Sequence, residues 1–150
     1  MSLHADIVMQ LLKDLDIDGI NQKLVNFHSG ISEVSCPDGK RIIINHYGGM
    51  VHTDNEIPAI LLLNSRNHVI ERYYCKFGKL HRDDDEPAVI TPNYRFWYKF
   101  GLEHRDGDYP SYISDELYEY KKFGVLHRFG GPAWTGLDGE YNYLYGINVE

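Results

Sequence analysis

The sequence predicts a mainly β protein: an antiparallel β-meander of hairpin repeats about 23 residues long, with a short helical cap at the N-terminus. Three observations carry this expectation. Phe-Gly-x-x-His-Arg is written at 77–82, 100–105 and 123–128. The chain is rich in strand-favouring aromatics, with 12 Tyr, 6 Phe and 2 Trp, and these sit between clusters of turn-forming residues. The first 25 residues instead follow a helical period.

The repeat is best measured from its glycine. Gly49, Gly78, Gly101, Gly124 and Gly146 lie 29, 23, 23 and 22 residues apart, and a regular interval of this size marks a repeat architecture. His52, His81, His104 and His127 stand three residues after their glycines; Arg82, Arg105 and Arg128 follow the last three. Pro58, Pro87, Pro110 and Pro132 come next, each with a small residue behind it: Ala59, Ala88, Ser111 and Ala133. From Pro87 to Gly101, Pro110 to Gly124 and Pro132 to Gly146 the count is 14, whereas from Pro58 to Gly78 it is 20. Six extra residues fit a hairpin lengthened by three on each arm, an even number that keeps an antiparallel ladder in phase.

Each unit therefore reads as a strand entering at Pro-Ala, a turn, an aromatic strand, a glycine turn and a short strand through His-Arg. The glycine permits a positive backbone dihedral at its turn. Proline starts a strand where no ladder donor is needed. Gly78, His81, Arg82 and Pro87, then Gly101, His104, Arg105 and Pro110, then Gly124, His127, Arg128 and Pro132, are thus expected to be structural. The arginines are expected to pair with nearby acids. Upstream, residues 31–47 read as one more hairpin with Asp38-Gly39 at its tip.

Units such as "WYKFGLEHR" and "LDGEYNYLYG" resemble MORN repeats, over roughly residues 41–150. The chain departs from that pattern by writing His-Arg and Pro-Ala where MORN repeats have His-Gly-x-Gly. The variant resembles tandem repeats in uncharacterised proteins of giant viruses and bacteriophages. The resemblance implies a MORN-like β-repeat region and a binding or scaffolding role rather than catalysis. It also implies a viral or phage protein in the host cytoplasm or the virion.

At the N-terminus Leu3, Ile7, Leu11 and Leu15 recur every four residues with Val8 and Leu12 beside them, and Ser2 is placed to cap a helix. Ile17, Ile20, Leu24 and Val25 form a second apolar set. The expected organisation is a helical cap over 1–30 and a repeat region over 31–150, together one domain.

The net charge of −7 opposes nucleic acid and an anionic membrane surface. Two cysteines, Cys36 and Cys75, make no disulfide framework. Acids at positions 6, 14, 16 and 18 interrupt the N-terminal apolar run, which argues against a signal peptide and for a cytoplasmic protein. Equivalent histidines two strand spacings apart, roughly 9–10 Å, cannot share one metal ion. The acids of "RDDDEP" lack the alternating spacing of a calcium loop. No cofactor, metal or catalytic residue is expected.

Large rings at alternating positions place aromatics on both sheet faces, which a thin sheet cannot bury entirely. Tyr74, Trp97, Tyr98, Tyr118, Tyr120 and Tyr143 are the expected partner-binding face, since exposed Tyr and Trp anchor interfaces. The function expected is a non-enzymatic protein–protein interaction module, an inhibitor or scaffold acting on a host protein. The alternatives are a membrane-peripheral scaffold and an enzyme with a His/Tyr site in the sheet groove. The final unit ends before a proline strand, so self-association through the C-terminal edge is also expected.

Overall fold

The computed structural model describes residues 3–54 and 56–150, so the expected Ser2 cap lies outside the described residues. The chain is mainly β and falls into two compact units, Met1–Leu80 and His81–Glu150.

The first unit begins with two helices, α1 (Ala5–Lys13) and α2 (Ile17–Leu24). Asp16 starts α2 by accepting the Gly19 N–H at 2.8 Å. The buried residues of α1 are Val8 and Leu12, while Ile7 is exposed; those of α2 are Ile17, Ile20 and Leu24. Val8 and Leu12 are thus the deepest residues of the α1 apolar set, with Leu3, Leu11 and Leu15 half-buried beside them, and Leu15, at φ 53°, belongs to the turn that ends α1.

Behind the helices come β1 (Gly30–Ser35), β2 (Arg41–Tyr47), β3 (Met50–Val51), β4 (Ile60–Leu63), β5 (Val69–Tyr73), β6 (Cys75–Lys76) and β7 (Lys79–Leu80). β1 and β2 form the expected hairpin, with Val34 opposite Ile42 and Gly39 at φ 84° in its tip. The order β1-β2-β4-β5 is antiparallel throughout, β3 pairs with β2, and β6 and β7 form a separate two-stranded hairpin. The six-residue insertion lengthens β4–β5 as expected, but the register shifts between Leu62 and Leu63, a bulge that an even count does not foretell. The Asn21 side chain on α2 accepts the Val51 N–H at 2.8 Å and donates to the Gly78 carbonyl at 2.9 Å, clamping the helix to two hairpins at once.

The second unit contains β8 (Val89–Ile90), β9 (Tyr94–Phe96), β10 (Tyr98–Lys99), β11 (Leu102–Glu103), β12 (Tyr112–Ser114), β13 (Leu117–Glu119), β14 (Lys121–Lys122), β15 (Val125–Leu126), β16 (Trp134–Gly136), β17 (Gly139–Tyr141), β18 (Tyr143–Leu144) and β19 (Ile147–Asn148). The meander runs β8-β9-β12-β13-β16-β17, and after each return strand the chain leaves the sheet to make a small hairpin: β10–β11, β14–β15 or β18–β19. One repeat is thus one sheet hairpin plus one projecting hairpin. The residue after each proline is fully buried, which explains Ala59, Ala88, Ser111 and Ala133: a larger side chain would meet packed strand backbone.

His46 on β2 carries a pH dependence of its own. Its ring is buried, Nε2 lies 2.7 Å from Ser32 Oγ, and Nδ1 has no hydrogen-bond partner among the described residues. Burial lowers its pKa, because charging the ring would cost solvation. The native state therefore binds this proton less readily than the unfolded chain. Its stabilising contribution is full above about pH 6.5 and falls as the pH drops through that value and the lower native one. Urea unfolding of His46→Gln should show a smaller loss of stability between neutral and mildly acidic pH than the wild type; an unchanged loss would assign the dependence elsewhere.

Candidate functional site

The projecting hairpins turn on Phe-Gly. Phe100, Phe123 and Tyr145 have φ values of 46°, 48° and 50°, and the glycines behind them lie at 79–83°. Two successive positive φ angles are the mark of a type I′ turn, for which Asn-Gly is the usual choice. A bulky residue there is strained by roughly 1–2 kcal/mol, so something must hold it.

The repeat histidine does. Phe100, Phe123 and Tyr145 each donate their backbone N–H to Nδ1 of His81, His104 and His127, at 3.1 Å in all three cases. The rings also lie over those imidazoles, with centroids 4.1, 3.9 and 4.2 Å apart. In the first unit Phe77, at φ 49°, sits on His52 in the same way, with 2.9 Å to Nδ1 and 4.7 Å between rings. An accepting Nδ1 places the proton on Nε2, which meets Asp83 at 2.9 Å from His81 and Asp106 at 3.0 Å from His104. Both imidazole nitrogens are thus occupied inside the protein at these two histidines. Each histidine ties its own repeat to the turn of the next.

The arginines close the loops. Arg105 places two nitrogens on Asp85, both at 2.9 Å, and stacks its guanidinium 4.0 Å over Trp97. Arg128 does the same with Asp108, at 2.7 and 3.0 Å, over Tyr120 at 3.9 Å. Arg82, Arg105 and Arg128 each donate to the carbonyl of the following proline at 3.2 Å. Planar, bidentate and stacked at once, Arg105 and Arg128 stand at positions that would not accept lysine.

The expected aromatic face divides. Tyr74 and Trp97 are buried, and Trp97 spends its indole N–H on the Asp85 carbonyl at 2.8 Å. Tyr98, Tyr120 and Tyr143 are half-buried and Tyr118 is exposed. Burial pushes the Tyr98 hydroxyl's pKa upward. The rings that face solvent are the turn residues: Phe100 at 59 %, Phe123 at 60 % and Tyr145 at 71 % exposure. Leu102, Val125 and Ile147, across the glycine from them, are exposed too. These six residues make an apolar row that a count along the strand does not single out. The signal for it is the position directly before a turn glycine, where a positive φ swings the ring away from the sheet.

One further group breaks the repeat. Glu103 stands where the neighbouring hairpins have Leu80 and Leu126, Ser111 where other repeats have alanine, and Lys121 where they have Cys75, Tyr98 and Tyr143. The three meet. Ser111 Oγ donates to Glu103 at 2.8 Å, and Lys121 Nζ donates to Glu103 at 2.8 Å and to Glu119 at 2.7 Å. Burial pushes the Glu103 carboxyl's pKa up against the opposing pull of Lys121 and Ser111. Serine, acid and lysine in contact have the chemistry of an acid–base site, but Ser111 is 0 % exposed, so no substrate reaches it in this conformation.

Comparison with protein-family models, with curated proteins and with solved structures finds no match. No described helix is long and apolar enough to cross a membrane.

Proposed function

We propose that the chain is a non-enzymatic protein-interaction module whose binding surface is the row of exposed turn rings in the second unit. The observation that carries this reading is the triplet Phe100, Phe123 and Tyr145, each held at a strained positive φ with its outer face toward solvent. Strain kept at several equivalent positions points to use, and rigid aromatic anchors are what interfaces draw on. Among the groups with acid–base chemistry, the repeat histidines His81, His104 and His127 hold turns, and Glu103 and Ser111 are buried. On the resemblance to viral and phage repeats, the partner is a host-cell protein and the module an inhibitor or scaffold.

The test removes the rings and keeps the turns. Phe100→Asn, Phe123→Asn and Tyr145→Asn create the Asn-Gly pairs that type I′ turns favour. Immobilised wild type should retain a partner from lysate that the triple variant, with unchanged circular dichroism, releases. Equal retention by both would move the surface away from the turns. A wild type that retains nothing removes the reading.

A further inference from the structure

The exposed ring row lies beside an uneven distribution of charge. Of the net charge of −7, residues 81–150 hold nearly all, with 13 acids against 7 Lys and Arg. Within that unit the three His-Arg loops form a series. Residues 81–87 have one arginine against four carboxylates; 104–110 have one against two, with Tyr109; 127–132 have one arginine, no carboxylate, and Phe129 in the place that Asp83 and Asp106 fill earlier. The loops lie side by side in this order, because Arg105 reaches back to Asp85 and Arg128 to Asp108.

The imidazole row joins this series to the rings. His81 and His104 each have a carboxylate on Nε2 and a turn ring on one face. His127 has instead Phe129 edge-on at 4.6 Å and Tyr145 at 4.2 Å, and Phe129 is 77 % exposed. The surface thus changes along its length from acidic to apolar. At the acidic end a cleft of about 490 Å³ is lined by Asp83, Asp84, Asp85, Asp106 and Trp97. Arg82, Arg105 and Lys99, which share it, are already paired with Glu86, Asp85 and Asp106.

We propose that this ridge takes a polypeptide segment with basic residues at one end and apolar anchors at the other. The basic end lies over Asp83 and Asp84, and the apolar end on Phe129, Tyr145 and Ile147. This rests on the protein-binding reading above and adds the chemistry and direction of the partner. Flanking charges of this kind act on association rate, salt dependence and choice of partner.

Three synthetic peptides of equal length test it. All carry Leu and Phe at the same positions in one half, with Lys, Gln or Glu at the polar positions of the other. Titrated by fluorescence anisotropy against the full chain, the Lys peptide should bind about tenfold tighter than the Gln peptide in low salt, an advantage that shrinks as added salt screens the charges. The Asp83→Asn/Asp84→Asn variant keeps an acceptor for His81; it should lose the Lys preference while still binding the Gln peptide. A benzophenone at the apolar end should cross-link within 123–149, and cross-links into 81–87 would overturn the direction. Equal binding of Lys and Gln peptides would overturn the inference and leave the ring surface standing. Failure of all three to bind wild type more tightly than the Asn ring variant would sink both.

Discussion

Lys121→Ala should destabilise the second unit by about 3 kcal/mol, while changing Glu103→Leu, Ser111→Ala and Lys121→Tyr together should cost nothing or stabilise by about 1–2 kcal/mol. The asymmetry follows from where the cost lies. Removing the ammonium alone leaves Glu103, whose side chain is 9 % exposed, with only the Ser111 hydroxyl to answer its charge. Removing all three installs the residue types that neighbouring repeats use at the same places, so the surrounding shape already suits them. Urea unfolding of the three proteins measures both effects; a triple variant as weak as the single one would mean that the trio stabilises outright. A pH term accompanies this. Since burial raises the Glu103 carboxyl's pKa, the native state takes up this proton more readily than the unfolded chain. The penalty in the wild type is therefore relieved as the pH falls, and the triple variant's advantage should narrow on acidification. Three departures meeting at one point also distinguish one repeat junction from the others.

The repeat architecture was legible because it is written in spacing. Glycine and proline punctuate each unit at constant intervals, and strand pairing follows from where those residues permit turns and strand starts. Burial is decided by packing in three dimensions and was less legible. Trp97 and Tyr74 look like surface anchors in a strand pattern, yet Trp97 lies beneath an arginine from the next loop, and no count along one strand shows that. The helical period marks two neighbouring apolar stripes on α1, and only the packed structure shows that Val8 and Leu12 lie deepest. The ring row was hidden because phenylalanine is an unusual occupant of a left-handed turn position; only the paired φ angles reveal which way the side chain points. Glu103, Ser111 and Lys121 are visible as departures from the repeat, but their meeting depends on the stacking of successive hairpins.

His104→Ala should cost about 3 kcal/mol, the sum of an orphaned backbone N–H, worth about 1–3 kcal/mol, and a lost ring stack, worth about 0.5–1.5 kcal/mol. The Phe123 amide would lose its acceptor at 3.1 Å, and the Phe123 ring its support at 3.9 Å, while φ stays near 48°. Phe123→Ala should cost less, because the acceptor remains, but alanine keeps the left-handed strain. Phe123→Asn should cost least, under about 1 kcal/mol, since asparagine tolerates that conformation. This order is the opposite of what ring size alone would give. Hydrogen exchange supplies the local readout: the Phe123 amide should lose protection in His104→Ala and retain it in Phe123→Asn at the substituted residue. Because His104 and Phe123 belong to successive repeats, the loss acts on the junction between them, and in a repeat array the junction terms carry cooperativity. Unfolding of His104→Ala should therefore broaden as well as shift, with residues beyond 123 exchanging ahead of those before 104. An unchanged Phe123 amide and a transition as sharp as the wild type's would show that the stacked imidazole only fills space.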